Sequence, residues 1–183
     1  MKTAVVTGSS KGIGKQIAID FLKDGYFVFL NYGHDDLAAN DLRKELKLIS
    51  DNFKILKNDF STKESIENFC SEIISSVKDI DVLVLNAATT NRNNLNTITF
   101  EEWSSVMMTN INAPFYIVKL LKEKIKNSGN IIFVGSILGI YPHAMSIPYA
   151  VSKAGLHMLA KSLVKEFCEE KIRVNVVAPG FVD

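Results

Sequence analysis

"T-G-S-S-K-G-I-G", residues 7–14, follows a short β-branched run and precedes a helical pattern of apolar residues. Its glycines have the spacing G-x-x-x-G-x-G. Gly8 permits a tight turn, while Gly12 and Gly14 keep side chains away from the backbone where a phosphate and a neighbouring strand approach. The free N–H groups at a helix start attract anions, so the stretch predicts a βα turn that binds a dinucleotide pyrophosphate; a plain glycine-rich turn is the alternative. Further donors in this turn are predicted at Ser9, Ser10 and Ile13.

Strand and helix patterns alternate outward from this turn along the whole chain. Strands are predicted at 2–8, 26–31, 53–59, 81–88, 130–136 and 172–178, and helices at 13–25, 35–50, 62–77, about 99–126 and about 148–170. Such alternation is typical of parallel βαβ units with helices on both faces, and mostly apolar strands indicate a sheet buried on both sides. We therefore predict an α/β fold: a single domain over 1–183 with a doubly wound parallel sheet of six strands.

Composition excludes several classes of partner. The chain has 183 residues, 47% of them apolar and 22% charged, and a net charge of +1, as expected for a globular domain. No basic stripe favours nucleic acid or a membrane surface, and no apolar run is long enough to span a bilayer. Met1 and Lys2 run directly into "TAVVTG", which leaves no room for a signal peptide and predicts a cytoplasmic protein.

Cysteines and histidines show no metal-binding spacing. Cys70 and Cys168 are far apart in helical patterns, so we expect buried free thiols in a reducing cytosol. His34, His143 and His157 are equally scattered, and no metal site is predicted.

The type of dinucleotide follows from charge. Proteins that bind NAD usually place an acidic residue at the end of the second strand, against the ribose 2′-OH. Here Asn31 and Tyr32 occupy that end, Asp35 lies further along, and Lys11 sits inside the glycine turn, where it can meet a 2′-phosphate. These positions favour NADP(H), with contacts from Lys11 and Asn31; a solvated loop lysine is the alternative.

Tyr149 and Lys153 form a second motif, in "I-P-Y-A-V-S-K-A-G" (147–155). Residues four apart share one helix face. A phenol ordinarily ionises near pH ~10, and about 4 kcal/mol is needed to bring that to neutrality; one ammonium at ~4 Å supplies this at an effective dielectric of ~20. The pair is therefore a candidate proton relay, although from this stretch alone a surface Tyr–Lys pair is the simpler interpretation.

A set of short motifs runs through the chain in order and at compatible spacings. Its members are Thr7-Gly8-x-x-x-Gly12-x-Gly14, Asp59, Asn86-Ala87, Asn110, Ser136, Tyr149-x-x-x-Lys153 and Pro179-Gly180. Over its whole length the chain thereby resembles the short-chain dehydrogenase/reductase family. Within that family, the stretches 91–95, 101–103 and 149–155 are similar to the 3-oxoacyl-(acyl-carrier-protein) reductases of fatty-acid synthesis.

The resemblance implies an NADPH-dependent carbonyl reductase with four catalytic residues. Tyr149 would be the general acid that protonates the carbonyl oxygen, and Lys153 would tune it and bind the nicotinamide ribose. Ser136 would hold the carbonyl oxygen, or else simply cap a turn at the strand end. Asn110 would bend its helix and hold a water on the proton path, or else be an ordinary polar helix residue.

The resemblance also implies cofactor contacts at the ends of four strands. Asp59 would accept from the adenine amino group, Phe60 would supply backbone contacts, and Asn86 with Ala87 would lie beside the adenosine ribose. Pro179 and Gly180 would pass the nicotinamide, and the Val182 backbone would reach its carboxamide. Ala88 stands where the family more often has glycine, and a left-handed backbone there would cost about 1–2 kcal/mol.

The expected substrate is a small carbonyl compound, either free or carried on an acyl carrier protein. Alternatives are a sugar, polyol or steroid dehydrogenase, and a non-catalytic NADP-binding scaffold or inactive fragment. The resemblance implies a homo-oligomer, a dimer or tetramer, formed through the helices at 99–126 and 148–170. Family members usually continue beyond "PGFVD" into a substrate loop and a seventh strand, so we expect this chain to be truncated and its substrate to be determined largely outside it.

Overall fold

Six parallel strands form one sheet in a computed structural model that describes residues 1–91, 93–141, 147–180 and 182. The strand order is β3-β2-β1-β4-β5-β6, and every neighbouring pair is parallel. The predicted doubly wound parallel sheet is thereby confirmed. The strands are β1 (Thr3–Val6), β2 (Phe27–Tyr32), β3 (Phe53–Lys57), β4 (Ile80–Leu85), β5 (Ile125–Val134) and β6 (Arg173–Val177).

Six α-helices connect the strands, and none of the described helices is long and apolar enough to cross a membrane. The first ends where Gly25 adopts a left-handed φ of 78° and the Tyr26 N–H bonds back to the Phe21 carbonyl. The helices are α1 (Gly12–Lys23), α2 (Asp36–Lys47), α3 (Lys63–Ser76), α4 (Phe100–Met107), α5 (Ala113–Leu121) and α6 (Ile147–Glu166).

Two hydrophobic cores lie on opposite faces of the sheet. Alternate residues of one strand contribute to different cores: Val5 belongs to one, and Ala4 and Val6 to the other. The Val5 core is closed by α3, α5 and α6, and the other core by α1 and α2. Because both faces are covered there, the central strands β1 and β4 are almost wholly apolar and buried, as the sequence pattern indicated.

The strand order creates a crevice. The chain moves outward from β1 to β3 and then returns, so that β4 lies on the other side of β1. The loops that follow β1 and β4 therefore diverge at the carboxyl ends of the strands. Open α/β sheets bind ligands at such a reversal point.

The predicted helix over about 99–126 is wrong in its continuity and its end. A π-helical turn (Met108–Asn112) separates α4 from α5, which ends at Leu121 and leads through a short 3₁₀ turn (Lys122–Lys124) into β5. The strand begins earlier than predicted because Ile125 pairs with Ile80, after which the register shifts until Asn130 pairs with Val82.

The end of α6 also differs from the prediction. The helix stops at Glu166 instead of about residue 170, because Phe167 turns into the core and Lys171 adopts a left-handed φ of 57° before β6. Cys168 consequently lies on the surface, which corrects the expectation of two buried thiols; Cys70 is buried, and both thiols are free.

Gly14→Ala is expected to destabilise the fold at the crevice. A Cβ at this position would overlap the Asn86 carboxamide nitrogen and the Gly8 carbonyl oxygen. Overpacking of this kind costs about 1–3 kcal/mol of unfolding free energy, measurable by urea denaturation. Gly33→Ala is the control, since its Cβ would meet nothing closer than the Asp59 Cα at 3.9 Å. Equal stability of the two variants would contradict this packing argument.

Candidate active site

Thr7 and Asn86 tie the two diverging loops together at the crevice. The Thr7 Oγ1 accepts hydrogen bonds from the backbone N–H groups of Asn86 and Ala87, each at 3.0 Å. The Asn86 Nδ2 donates to the carbonyl oxygens of Thr7 and Gly8, at 3.1 and 2.8 Å. The side chain predicted to lie beside the adenosine ribose is therefore also the structural link between β1 and β4.

Ser9 and Asn31 form a second tie, between the glycine loop and β2. The Ser9 Oγ donates to the Val6 carbonyl at 2.9 Å and accepts from the Asn31 N–H at 3.0 Å. The Asn31 Oδ1 accepts from the Gly8 N–H at 3.1 Å, and its Nδ2 donates to the Asn58 carbonyl at 2.9 Å. Both side chains are buried. These hydrogen bonds fix the conformation of the glycine turn. The sequence did not indicate this structural role.

A cleft of about 510 Å³ opens beside these ties. It contains eight of the predicted cofactor residues, whereas Ser9, Gly12, Ile13 and Gly14 do not line it. Sequence reasoning missed Ser105 and Thr109, although their spacing of four places both on one face of the segment that runs from α4 into the π turn. The lining consists of Gly8, Ser10, Lys11, Asn31, Tyr32, Gly33, His34, Asp35, Asn58, Asp59, Phe60, Ser61, Asn86, Ala87, Ala88, Thr89, Ser105 and Thr109.

Ionisable side chains at the cleft lie in two close pairs. The Lys11 Nζ lies 3.8 Å from the Asp35 Oδ2, and the His34 Nε2 lies 3.2 Å from the Asp59 Oδ2. Asp59 also accepts from the N–H and the hydroxyl of Ser61, each at 3.0 Å. The Asp59 carboxylate, predicted to accept from the adenine amino group, therefore already stabilises the turn at residues 59–61.

Lys153 is buried at the carboxyl end of β5. The side chain is 2% exposed, and its Nζ donates to the Val134 carbonyl oxygen at 2.7 Å. The ammonium lies 5.5 Å from the centroid of the half-buried Tyr149 ring, as predicted from their spacing. Burial lowers the pKa of Lys153 to about 8, because a charged group is costly to remove from water.

Gly139 allows α6 to come this close to the end of β5. A Cβ at residue 139 would lie 2.7 Å from the Lys153 carbonyl carbon and 2.9 Å from the Ala154 nitrogen. No real side chain tolerates that separation from backbone, so the turn before α6 requires glycine here. This close approach brings the Lys153 side chain within reach of β5.

Asn110 lies within the π-helical turn and is fully enclosed. Its Oδ1 accepts from the Thr89 N–H at 2.8 Å, while its Nδ2 donates to the Thr89 carbonyl at 2.9 Å and to the Ser152 Oγ at 3.0 Å. Ser152, which sequence reasoning missed, donates in turn to the Tyr149 carbonyl at 2.7 Å. Asn110 thus connects the loop after β4 to the turn of α6 that carries Tyr149 and Lys153.

Ser136 is the second residue after the end of β5 and is buried. Its Oγ accepts from the Leu138 N–H at 3.2 Å and caps the short 3₁₀ turn 137–139. The turn-capping alternative is therefore present in the structure. Because the hydroxyl acts as acceptor in this bond, its proton stays available for another oxygen.

The remaining predicted contacts lie outside the cleft. Pro179 and Gly180 follow β6, where the Pro179 carbonyl accepts from the Ile137 N–H at 3.0 Å, and Val182 is 64% exposed. Ala88 is not among the described residues with positive φ, so the expected cost of a left-handed alanine does not arise. No metal-binding cluster occurs among the residues that the structure describes. His143 and Arg92 lie outside those residues.

The reversal-point crevice, the glycine turn and the buried lysine beside a tyrosine define a dinucleotide-binding α/β protein. The profile of the family described as short chain dehydrogenase matches residues 2–183. The chain therefore belongs to the short-chain dehydrogenase family, and the predicted oxidoreductase class is confirmed.

Three relatives illustrate this similarity. The 3-oxoacyl-[acyl-carrier-protein] reductase FabG of Haemophilus influenzae is 37% identical over 183 residues, which cover 99% of this chain and 74% of that protein. A dehydrogenase/reductase from Sinorhizobium meliloti 1021 has a TM-score of 0.93 and 31% identity, over 100% of this chain and 73% of that one. The angucycline C-6 ketoreductase LanV with bound NADP has a TM-score of 0.91 and 28% identity, over 97% of this chain and 72% of that one. The first relative confirms the predicted similarity to the acyl-carrier-protein reductases.

Lys153→Met is expected to change the pH dependence of stability. Because the folded-state pKa of about 8 lies below the ordinary 10.5, the unfolded chain holds more protons between these values, so the stability of the parent rises with pH across this window. The variant lacks this rise. The difference in unfolding free energy between the two proteins should therefore change by about 3 kcal/mol between neutral pH and pH ~10.5.

Urea denaturation at a series of pH values measures this difference. Lys161→Met, which removes an exposed lysine from the same helix, is the control and should track the parent. A constant difference between Lys153→Met and the parent across the window would contradict a buried, destabilised ammonium.

Proposed function

We propose that the chain is an NADPH-dependent carbonyl reductase that transfers hydride to a ketone. The observation that carries this proposal is the buried Lys153 ammonium beside the Tyr149 ring, joined through Ser152 and Asn110 to the loop that borders the cleft. A purely structural lysine would be expected at the surface, because burial of an unpaired charge is costly. A non-catalytic scaffold would gain nothing from a buried lysine that lowers its stability.

The proposed cofactor is NADP(H). The residues fit it: a Cβ at Gly12, whose φ is 58°, would meet nothing within 4 Å, so space is open where a pyrophosphate approaches the start of α1. Lys11 lines the cleft, and the buried Asn31 stands at the end of β2 in place of an acid. The LanV structure with bound NADP supports the same assignment.

In the proposed mechanism the cofactor supplies the hydride, and this chain supplies the proton and the orientation. Tyr149 donates its phenolic proton to the carbonyl oxygen as negative charge develops there. Ser136 donates a hydrogen bond to the same oxygen and holds the carbonyl in line. Lys153 stabilises the phenolate that remains, and Asn110 with Ser152 keeps the Tyr149 turn of α6 in place.

The proposed substrate is a 3-oxoacyl thioester, either free or carried on an acyl carrier protein. The name of the Haemophilus influenzae relative supports this choice. The ketoreductase name of LanV supports the second candidate, a ketone reductase acting on a larger cyclic substrate. Both candidates use the same four catalytic residues. They differ only in the ketone substrate that the site accepts.

Reduction of acetoacetyl thioesters by the purified protein, including any residues that follow position 183, tests the proposal. NADPH consumption should be faster with an acetoacetyl thioester than with a panel of sugar, polyol and steroid ketones. Tyr149→Phe, which retains the ring but lacks the proton, should lower kcat by about 10²–10⁴-fold. Its affinity for NADPH should change little. Unchanged turnover in Tyr149→Phe would exclude the assigned chemistry, and a faster rate with another ketone class would exclude the thioester.

A homo-oligomer is proposed with this function. Val151, Ala154, Gly155 and Met158 form an exposed stripe on α6 at the spacing i, i+3, i+4, i+7. Such a stripe normally faces another helix, and its small residues permit close approach. On α5, Phe115 is also 46% exposed.

A reducing, cytoplasmic setting is proposed on the free thiols of Cys70 and Cys168.

Met158→Glu is expected to dissociate the proposed oligomer. Met158 is 61% exposed in the single chain, so a glutamate there costs the monomer little but places a charge inside the helix pair. Light scattering coupled to gel filtration measures the mass. Leu48→Glu, at a residue 89% exposed on another part of the surface, should keep the mass of the parent. An unchanged mass for Met158→Glu would place any interface elsewhere.

A further inference from the structure

We infer that Asp35 sets how strongly the chain prefers NADP(H) over NAD(H), because it holds the cation that would meet the 2′-phosphate. This inference rests on the proposed NADP(H) cofactor. It concerns a residue that the cofactor motif does not include, since Asp35 lies beyond the end of β2, at the start of α2.

Lys11 is the one lysine or arginine among the described residues that line the cleft. Its Nζ lies 3.8 Å from the Asp35 Oδ2, and both side chains are at the cleft mouth, with 78% and 45% of their surfaces exposed. A ligand phosphate that binds Lys11 must therefore compete with a carboxylate of the protein.

Asp35 cannot easily turn away from this position. It is the N-cap of α2, and its Oδ1 accepts from the Ala38 N–H at 3.0 Å. Rotation of the side chain would leave the first turn of the helix uncapped. The Asp35 Oδ2 therefore stays close to Lys11. When a ligand phosphate binds, the flexible Lys11 side chain is the partner that must move.

The neighbouring carboxylates are engaged elsewhere. Asp59 accepts from Ser61 and lies against His34, as described above. Asp36, the next residue after Asp35, accepts from the Tyr32 hydroxyl at 2.8 Å and from the Lys57 Nζ at 2.7 Å. It does not line the cleft. Asp36 therefore provides a charge one position away that does not face Lys11.

The two dinucleotides respond differently to Asp35. A phosphate monoester carries nearly two negative charges at neutral pH, so the 2′-phosphate is repelled by Asp35 and also needs the cation that Asp35 holds. The 2′-hydroxyl of NAD(H) carries no charge and needs no cation. Asp35 thus weakens the binding of NADP(H) selectively.

Asp35→Asn tests this role without loss of the helix cap, since asparagine caps as well as aspartate. Dissociation constants for NADPH and NADH are measured by nucleotide fluorescence at low ionic strength on the purified protein, including any residues that follow position 183. The variant should bind NADPH about three- to tenfold more tightly, the range expected for release of an exposed ion pair together with removal of a like charge. Its affinity for NADH should change less than about twofold, and the gain with NADPH should shrink as salt is added.

Two further variants separate the causes. Asp36→Asn removes the same charge one residue away and should change the NADPH-to-NADH ratio by less than about twofold at moderate salt. In a Lys11→Gln background, Asp35→Asn should bring a smaller gain with NADPH, because there is no longer a cation to release.

The outcomes distinguish this inference from the function it rests on. If both nucleotides bind but Asp35→Asn leaves their ratio unchanged, Asp35 has no role in selectivity. If the gain is the same with and without Lys11, the proposed competition for Lys11 is wrong. If no variant binds either nucleotide, the proposed cofactor itself is rejected, and the role of Asp35 with it.

Discussion

Burial of one ammonium group determines how the active-site end of this fold is built. An ammonium removed from water needs acceptors, and the Val134 carbonyl at the end of β5 provides one for Lys153 at 2.7 Å. To reach it, α6 must lie against β5 and against the turn 137–139, which Gly139 permits because it has no Cβ. The positions of Ser136 and Tyr149 follow from this approach, since one flanks the turn and the other lies one helical turn before Lys153.

The cofactor end depends on a different constraint, the divergence of the loops after β1 and β4. Parallel strands leave backbone N–H and C=O groups unpaired where their chains separate, and these groups are costly if they stay unsatisfied. Side chains of Thr7 and Asn86 supply the partners on one side, and Ser9 and Asn31 supply them on the other. The conformation of the glycine turn is therefore fixed by the protein's own hydrogen bonds.

The sequence predicted the sheet, the glycine turn and the Tyr149–Lys153 pair, because each depends on local pattern or on spacing along one element. Apolar periodicity did not predict the π turn at Asn110, since it does not distinguish an inserted residue within a helix from a regular continuation. The family resemblance did imply that Asn110 bends its helix. The sequence assigned Ser9 and Asn31 to the ligand without indicating that both also hold the glycine turn by internal hydrogen bonds, and their contact with a cofactor stays a prediction. Nor did it predict the Lys11–Asp35 pair, which joins residues from two different connections and exists only after the strands assemble.

Structural roles and the proposed catalytic roles are compatible in the same side chains, because each hydrogen bond uses only part of a group's donor and acceptor capacity. Lys153 has three ammonium donors, and its bond to Val134 uses one, so donors remain for a ribose or a phenolate. Ser136 accepts from Leu138 and keeps its proton, which is the part that a carbonyl oxygen requires. Asn86 donates through its nitrogen to Thr7 and Gly8 and retains its oxygen for a ribose hydroxyl. A turn-capping serine or a clamping asparagine is thus no argument against function: the internal bond fixes the orientation, and the unused donor or acceptor is what a bound cofactor or substrate encounters.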